Sequence, residues 1–377
     1  MMQTRSIKYF VVLIFLSGCI KTFEPDFNNE SVNKLVVQGL VSSIEGWQHV
    51  SVSRTSKVSE PKYIPVNNCT IKIIDDLGQT FNLNQYEDGE YRVWMPEIFL
   101  VPGRSYKIEV ITPEGEILES AFDQMPTGPE VGDIYYEIKP IPTNDPDIIT
   151  EGIQIYTDFI ADEEDSRYYR WKLTETWEYH AQFAIESYYD GVVHQVSPPD
   201  SSLYFCWNTN PIANVITLST TNFSTNTAVK FPLNYVNNRS PRLEILYSLL
   251  IEQNALSEDA YNYWDELRLN SEQNGGLYNS QPIAVKGNMI NTSNPDAEVL
   301  GFFQASTVSL KRIFIEPVSG LELDYQSRCS LIQLEFGLQE IMPRDYPAYL
   351  VGGTLLTKDC VECTTLGGST DKPPYWP

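Results

Sequence analysis

The sequence predicts a mainly β protein: an N-terminal Ig-like or transthyretin-like β-sandwich, then a second, larger β-rich domain with one or two helices. Three observations predict this. Short runs alternate apolar and polar residues, the period of a half-buried strand. Turn residues interrupt those runs at close intervals. The stretch Leu100-Val101-Pro102-Gly103-Arg104-Ser105-Tyr106 has the form of a tyrosine corner, in which the phenol bonds backbone a few residues upstream and pins a turn into its strand.

Taken in order, residues 34–41 (KLVVQGLV) are β-branched and apolar, and 49–53 (HVSVS) alternate with period two. Residues 70–74, the turn 75–78 (DDLG) and 80–83 read as strand, turn, strand. Residues 90–94 make another strand, and 106–111 lead through Pro113-Glu114-Gly115 into Ile117-Leu118. The Pro- and Gly-rich segment 123–133 has no periodic apolar pattern and marks a boundary, so 34–122 is the sandwich, 123–133 a linker and 134–377 the second domain.

In the second domain 152–159 alternate cleanly and 168–179 form a long aromatic-rich strand. Residues 183–240 are polar and aromatic with weak periodicity. They are expected to form an insertion of short strands and loops, kept ordered by aromatics that include Tyr188, Tyr189, Tyr204, Phe205 and Trp207. Residues 243–251 read as a buried strand. One helix is well marked, with Ser257 as N-cap, Glu258 and Asp259 in the first turn, an apolar stripe through Ala260, Trp264 and Leu267, and a stop at Asn274-Gly275-Gly276. Trp264 on that stripe is expected in the core. Residues 285–290, 299–305 and 309–315 are apolar runs of strand length.

Composition excludes several classes of function. The 377 residues carry 26 Lys+Arg against 50 Asp+Glu, a net charge of −24. Phosphate binding needs clustered bases, so nucleic acid is an unsuitable partner, as is an anionic lipid surface. With 42% hydrophobic and 12% aromatic residues, the chain is no disordered segment.

The N-terminus carries an address. Arg5 and Lys8 precede the apolar run 9–16, which is too short to span a bilayer. Leu16-Ser17-Gly18-Cys19 then resembles a bacterial lipobox. In that reading residues 1–18 are a signal peptide and the Cys19 thiol carries a diacylglyceryl group, whose acyl chains, palmitate among them, anchor the protein. The other readings are an ordinary secretory leader or a retained short anchor. Losing residues 1–18 removes two bases and no acid, leaving 24 bases against 50 acids, or −26. Residues 19–33 form a short polar tether. The expected location is the outer membrane, with its periplasmic and outward faces both open.

Five cysteines remain. Export to an oxidising compartment permits disulfides, and Cys206, Cys329, Cys360 and Cys363 are the candidates, with three possible pairings. Cys360-Val361-Glu362-Cys363 is a CxxC. Zinc would want a second ligand pair, and a thioredoxin-like site a helix where Leu366-Gly367-Gly368 breaks one, so structural bridging of the tail is expected. Cys69 is expected as a buried free thiol.

No HExxH, Walker loop, GxSxG or dinucleotide fingerprint appears. The three histidines, His49, His180 and His194, read as polar residues rather than bases. Asp162 to Asp165 lack the alternation and glycine of a calcium loop. Glu175 and Glu178, near Trp171 and Trp177, are the one carboxylate pair worth inspecting for hydrolysis. No cofactor or metal is expected. The candidate binding aromatics are Tyr188, Tyr189, Tyr204 and Trp207.

The order of several segments resembles a family of Bacteroidota lipoproteins catalogued as domain of unknown function 4249. The residues that carry the likeness are 35–39 (LVVQG), Val101-Pro102-Gly103 with Tyr106, 257–264 (SEDAYNYW), Gln281-Pro282, Gly287-Asn288, 299–303 (VLGFF), and in the tail 360–363, Gly367-Gly368 and 372–377 (KPPYWP). The resemblance implies an outer-membrane companion of TonB-dependent receptors, and it brings no catalytic residues to carry over. The expected function is therefore a non-enzymatic binding or accessory module in nutrient capture or uptake. The alternatives are an envelope structural or assembly factor and a glycosidase-like hydrolase.

Overall fold

The computed structural model describes residues 33–57, 60–142, 149–273 and 285–377. Residues 1–18, nearly all of the tether with Cys19, the glycine stop at 274–276 and Gln281-Pro282 lie outside them.

The first core is a β-sandwich, and its strands follow from alternation. Strand β1 (Leu35–Ser42) turns Leu35, Val37 and Val41 inward, and β2 (Gly46–Arg54) turns in Val50 and Val52. Next come β3 (Thr70–Asp75), β4 (Thr80–Glu87), β5 (Glu90–Met95), β6 (Ser105–Ile111) and β7 (Ile117–Ser120). Strand β4 turns the corner between the two layers. Phe81 and Leu83 lie opposite Ile73 and Ile71 of β3, while Asn84 and Gln85 pair with β5 after the chain bends. The tyrosine corner forms as expected, with the buried Tyr106 hydroxyl donating to the Phe99 carbonyl. Cys69 is a free thiol just ahead of β3, half-buried rather than buried, and burial pushes its pKa up.

The second core packs a three-stranded sheet against a larger one. The former holds β8 (Ile134–Ile138), β9 (Gly152–Ile160) and, further along the chain, Thr227–Asn237. Facing it is β10 (Tyr168–His180), which sends Tyr169, Trp171 and Leu173 into a core shared with Ile153, Ile155 and Phe159. Trp171 is fully buried and its indole N–H donates to Gln253 Oε1 at 3.1 Å. A hairpin of β11 (Ile185–Tyr189) and β12 (Val193–Asp200) follows, then β13 (Phe205–Ser219) and β14 (Thr227–Asn237). Residues 183–240 are thus not an insertion of short strands and loops. Strand β13 runs 15 residues along β10, and β14 spans the opposite sheet. Their periodicity is weak because β13 has a full strand beside it on one side only and much of it meets solvent, so no face is uniformly apolar.

Strand β15 (Leu246–Ala255) pairs with β10 on its other side. The Ser257 hydroxyl then caps α1 (Glu258–Gln273), accepting the Ala260 N–H at 3.2 Å. Ala260, Tyr263 and Trp264 form a buried cluster with Leu256 and Phe302, which places Trp264 in the core as expected.

Strand β16 (Met289–Asn291) pairs with β7, and residues 299–300 run parallel to β1. Met289, Val299, Phe303 and Ala305 thereby enter the first core, which residues 35–125 alone would leave unfilled on one side. Strand β17 (Phe303–Ile315) serves both cores. Phe303–Ser306 pair in parallel with Gly39–Ser42, and Thr307–Ile315 run antiparallel to Tyr247–Ala255. One hydrogen-bonded path therefore crosses the molecule in the order β13-β10-β15-β17-β1-β2-β5-β4-β3-β6-β7-β16.

The 123–133 segment lies packed at this junction. Val131 is buried in the second core, and the Pro129 carbonyl accepts from Gln253 Nε2 at 2.9 Å. The buried Asp123 carboxylate accepts the Ala305 N–H at 2.8 Å, and burial raises its pKa to about 6. A folded-state pKa above the unfolded value of ~3.9 means that the folded state holds the proton more tightly. The resulting contribution to stability is complete below the unfolded pKa and is lost as pH rises through the folded one. Asp123→Asn keeps an acceptor and removes the titration. The expected result in urea unfolding is that wild type loses stability relative to this variant between pH 4 and 7; parallel curves would refute it.

Candidate functional site

The C-terminal tail builds the site. It is short on regular structure and is held by the two disulfides Cys206–Cys363 and Cys329–Cys360, all four of them the expected cysteines. The pairing joins each member of the CxxC to a distant cysteine, which gives the motif a structural part. Past Cys363 the tail runs beside β13, where the Trp207 N–H donates to the Ser369 carbonyl at 2.8 Å and the Ser369 N–H returns a bond at 2.9 Å. Buried Tyr179 of β10 locks the turn between them, donating to the Cys363 carbonyl at 2.9 Å and accepting the Gly368 N–H at 2.8 Å.

A cleft of about 550 Å³ opens beside this clamp, within the size range of small-molecule sites. The end of β10 lines it with Trp177 and His180. The segment before β13 adds Tyr204, and the tail adds Tyr325, Arg328 and Asp359. Arg328 and Asp359 each precede a cysteine of the Cys329–Cys360 bond, and Cys206 and Cys363 cluster with Tyr179, Ala181 and Tyr204 of the cleft wall, so both disulfides border the cleft. The rings of His180 and Tyr204 lie 5.1 Å apart, and Phe205 meets each of them edge-on at 4.8 Å. His180 Nε2 is 2.7 Å from Glu178 Oε1, while Glu178 Oε2 accepts the Trp376 indole N–H at 2.8 Å. The Tyr325 hydroxyl donates to Glu244, and burial, then that carboxylate, push its pKa upward. The Trp177 indole N–H is buried without a partner. Aromatic faces with a few fixed polar groups are suited to holding a ligand by ring contact.

Of the aromatics singled out from the sequence, Tyr204 lines the cleft. Trp207 sits behind it as part of the clamp, half-buried, its own indole N–H buried and unpartnered. Tyr188 and Tyr189 are elsewhere, in a small sheet with residues 348–351, where Tyr188 stacks on His194 at 4.7 Å and Tyr189 meets Tyr346 edge-on. Trp177, His180 and Tyr325 were missed as site residues. The aromatic pattern of 168–179 pointed to the first, and nothing local marks Tyr325.

Glu175 and Glu178 do not face one another. Three residues apart on a regular strand, they point to opposite faces. Glu175 is buried on the other side, 3.2 Å from Arg242 and accepting the Tyr247 hydroxyl at 2.9 Å. Among the described residues no three His, Cys, Asp or Glu side chains gather as a metal site, and no helix is long and apolar enough to cross a membrane.

Fold and site together define a double-sandwich β protein with a disulfide-clamped aromatic cleft. The chain belongs to the family described as "Domain of unknown function (DUF4249)", whose match covers residues 20–312. That span ends inside β17 and does not extend over the tail residues 360–377. No curated protein matches the sequence. Among solved structures, a DUF4785 family protein from Legionella pneumophila subsp. pneumophila is similar over 59% of this chain and 53% of that chain, with 10% identity and a TM-score of 0.16. The chain thus spans about half the length of that protein.

Proposed function

We propose that this protein is a lipid-anchored outer-membrane module of a Bacteroidota envelope that captures or passes on a nutrient ligand and partners a TonB-dependent receptor without itself being an enzyme. The carrying observation is the cleft of Trp177, His180, Tyr204 and Tyr325 on a platform bordered by two disulfides. Crosslinks of that kind suit an exported body. The lipobox-like Leu16-Ser17-Gly18-Cys19 supplies the anchor in this reading, and the acidic surface favours a protein partner over phosphate-rich ones.

The test is affinity capture of the full-length protein from native outer membranes after crosslinking, with mass spectrometry of its N-terminal peptide. The expected result is an acylated Cys19 and a co-purifying receptor barrel. An unmodified N-terminus, or acylated protein that brings down no barrel, would count decisively against the proposal. Recovery of barrel-assembly machinery alone would favour an assembly factor instead.

A further inference from the structure

We infer that the cleft between the two cores is a second ligand site, built for a small molecule that carries an oxyanion, with Arg170 as its anchor. This cleft also encloses about 550 Å³ and lies beside β17, where the cores share their strand. Gly39 and Trp47 line it from the first core, and Arg170, Trp264, Gln304 and Leu310 line it from the second.

The guanidinium carbon of Arg170 lies 3.4 Å from the ring centroid of Trp264, so the two planes of charge and ring are held together. Trp264 is itself fixed, its indole N–H donating to Gln304 Oε1. Arg170 Nε is buried and has no hydrogen-bond partner, and among the described residues no carboxylate pairs with this side chain. That is unusual in a chain with 50 acids to 26 bases. An unpaired charge kept from water is costly unless something completes it. Burial pulls the Arg170 pKa down to about 10, with the Glu252 charge opposing the shift, so the guanidinium is charged at neutral pH.

The nearby carboxylates are engaged. Glu252 is 3.0 Å from Lys172 and accepts from Asn254 Nδ2 at 3.1 Å. Glu45 accepts the Glu97 N–H at 3.2 Å, and Glu90 the Tyr63 hydroxyl at 3.2 Å. Burial, then Arg92, lower the His49 pKa, which keeps that ring neutral. Two bases, Arg170 and Lys172, thus face three carboxylates along the cleft, and Arg170 is the base that among the described residues has no ion pair; its planar fork matches a carboxylate or a phosphate. Beside it Trp47 is 46% exposed and Leu310 51%, an apolar surface for the body of the ligand. The ligand class is an aryl or alkyl carboxylate or phosphate monoester.

Calorimetric titration of the full-length protein with phenylacetate, phenyl phosphate and the neutral phenylacetamide tests this, with intrinsic tryptophan fluorescence as a second readout. The expected result is saturable binding of at least one anion and binding of the amide weaker by about tenfold or more. Which anion binds better separates a carboxylate source from a phosphate source. Arg170→Met should cost about tenfold or more, and Arg170→Lys less, since it keeps charge without the fork. Leu310→Glu, at an exposed position, should weaken anion binding by placing a like charge at the mouth. Equal binding of acid and amide, wild-type affinity in Arg170→Met, or no saturable anion binding up to about 10 mM would overturn the assignment. If Arg170→Met does not fold, unchanged affinity in Leu310→Glu overturns it.

Discussion

Gly301→Ala is expected to remove about 3 kcal/mol or more of stability, since it adds backbone strain to a collision with main chain. Gly301 has a φ of +96°, a region that favours glycine, and a Cβ built there would stand 2.0 Å from the Val37 carbonyl oxygen. That carbonyl belongs to β1 and cannot turn aside without breaking the sheet. On the other side Gly287 approaches so closely that its Cβ would lie 1.5 Å from the Gly301 carbonyl oxygen. The two glycines let the 285–306 segment slide beside β1 and deliver Val299, Phe303 and Ala305 into the first core. Urea unfolding would show the loss, and hydrogen exchange would show it first at Gly39–Ser42. Gly78→Ala is the control, because φ there is +84° with nothing within 4 Å, so strain acts alone and the cost should be near 1 kcal/mol. Equal effects at the two glycines would show that the close approach is not what matters.

The second large effect is expected from the disulfides. Cys206–Cys363 closes 157 residues of sequence and Cys329–Cys360 closes 31. Loop-closure entropy assigns about 5 kcal/mol to the first and about 4 kcal/mol to the second. Replacing both cysteines of each pair by serine should lower the free energy of unfolding in that order. Loss of the first should also free the 363–369 turn from Tyr179 and expose the tail to protease, dismantling one wall of the aromatic cleft. A fully reduced protein with unchanged urea midpoint and unchanged protease resistance would show that the crosslinks bear on neither stability nor the cleft.

How much of this was legible in the sequence depends on the range over which the signal acts. Alternation is local, so β1, β2, β3 and β9 could be read directly, as could the Ser257 cap and the Tyr106 corner. The joining of 285–306 to the first core could not. Its partners lie 264 residues upstream, Gly39 beside Phe303 and Val37 beside Gly301, and no local pattern records a parallel neighbour. Strand β13 was obscured because an edge strand wet on much of its surface has no reason to alternate. The four bridging cysteines could be picked out on the expectation of export, but their pairing is set by where the tail lies against β13. The same holds for the cleft. Tyr204 was picked out and Tyr325 was not, because only the fold of the tail brings Tyr325 beside Trp177. Arg170 was hidden inside an aromatic strand, and its lack of an ion-pair contact is a property of three dimensions.

Strand Phe303–Ile315 has a mechanical consequence. Tension entering at the start of Leu35–Ser42 finds no hinge between the halves of the molecule. It passes sideways into Phe303–Ser306, where the paired residues carry the load together and do not peel apart in turn. If the protein is suspended from its N-terminal side as proposed, it would therefore swing as one rigid piece, and both of its clefts would keep their shape.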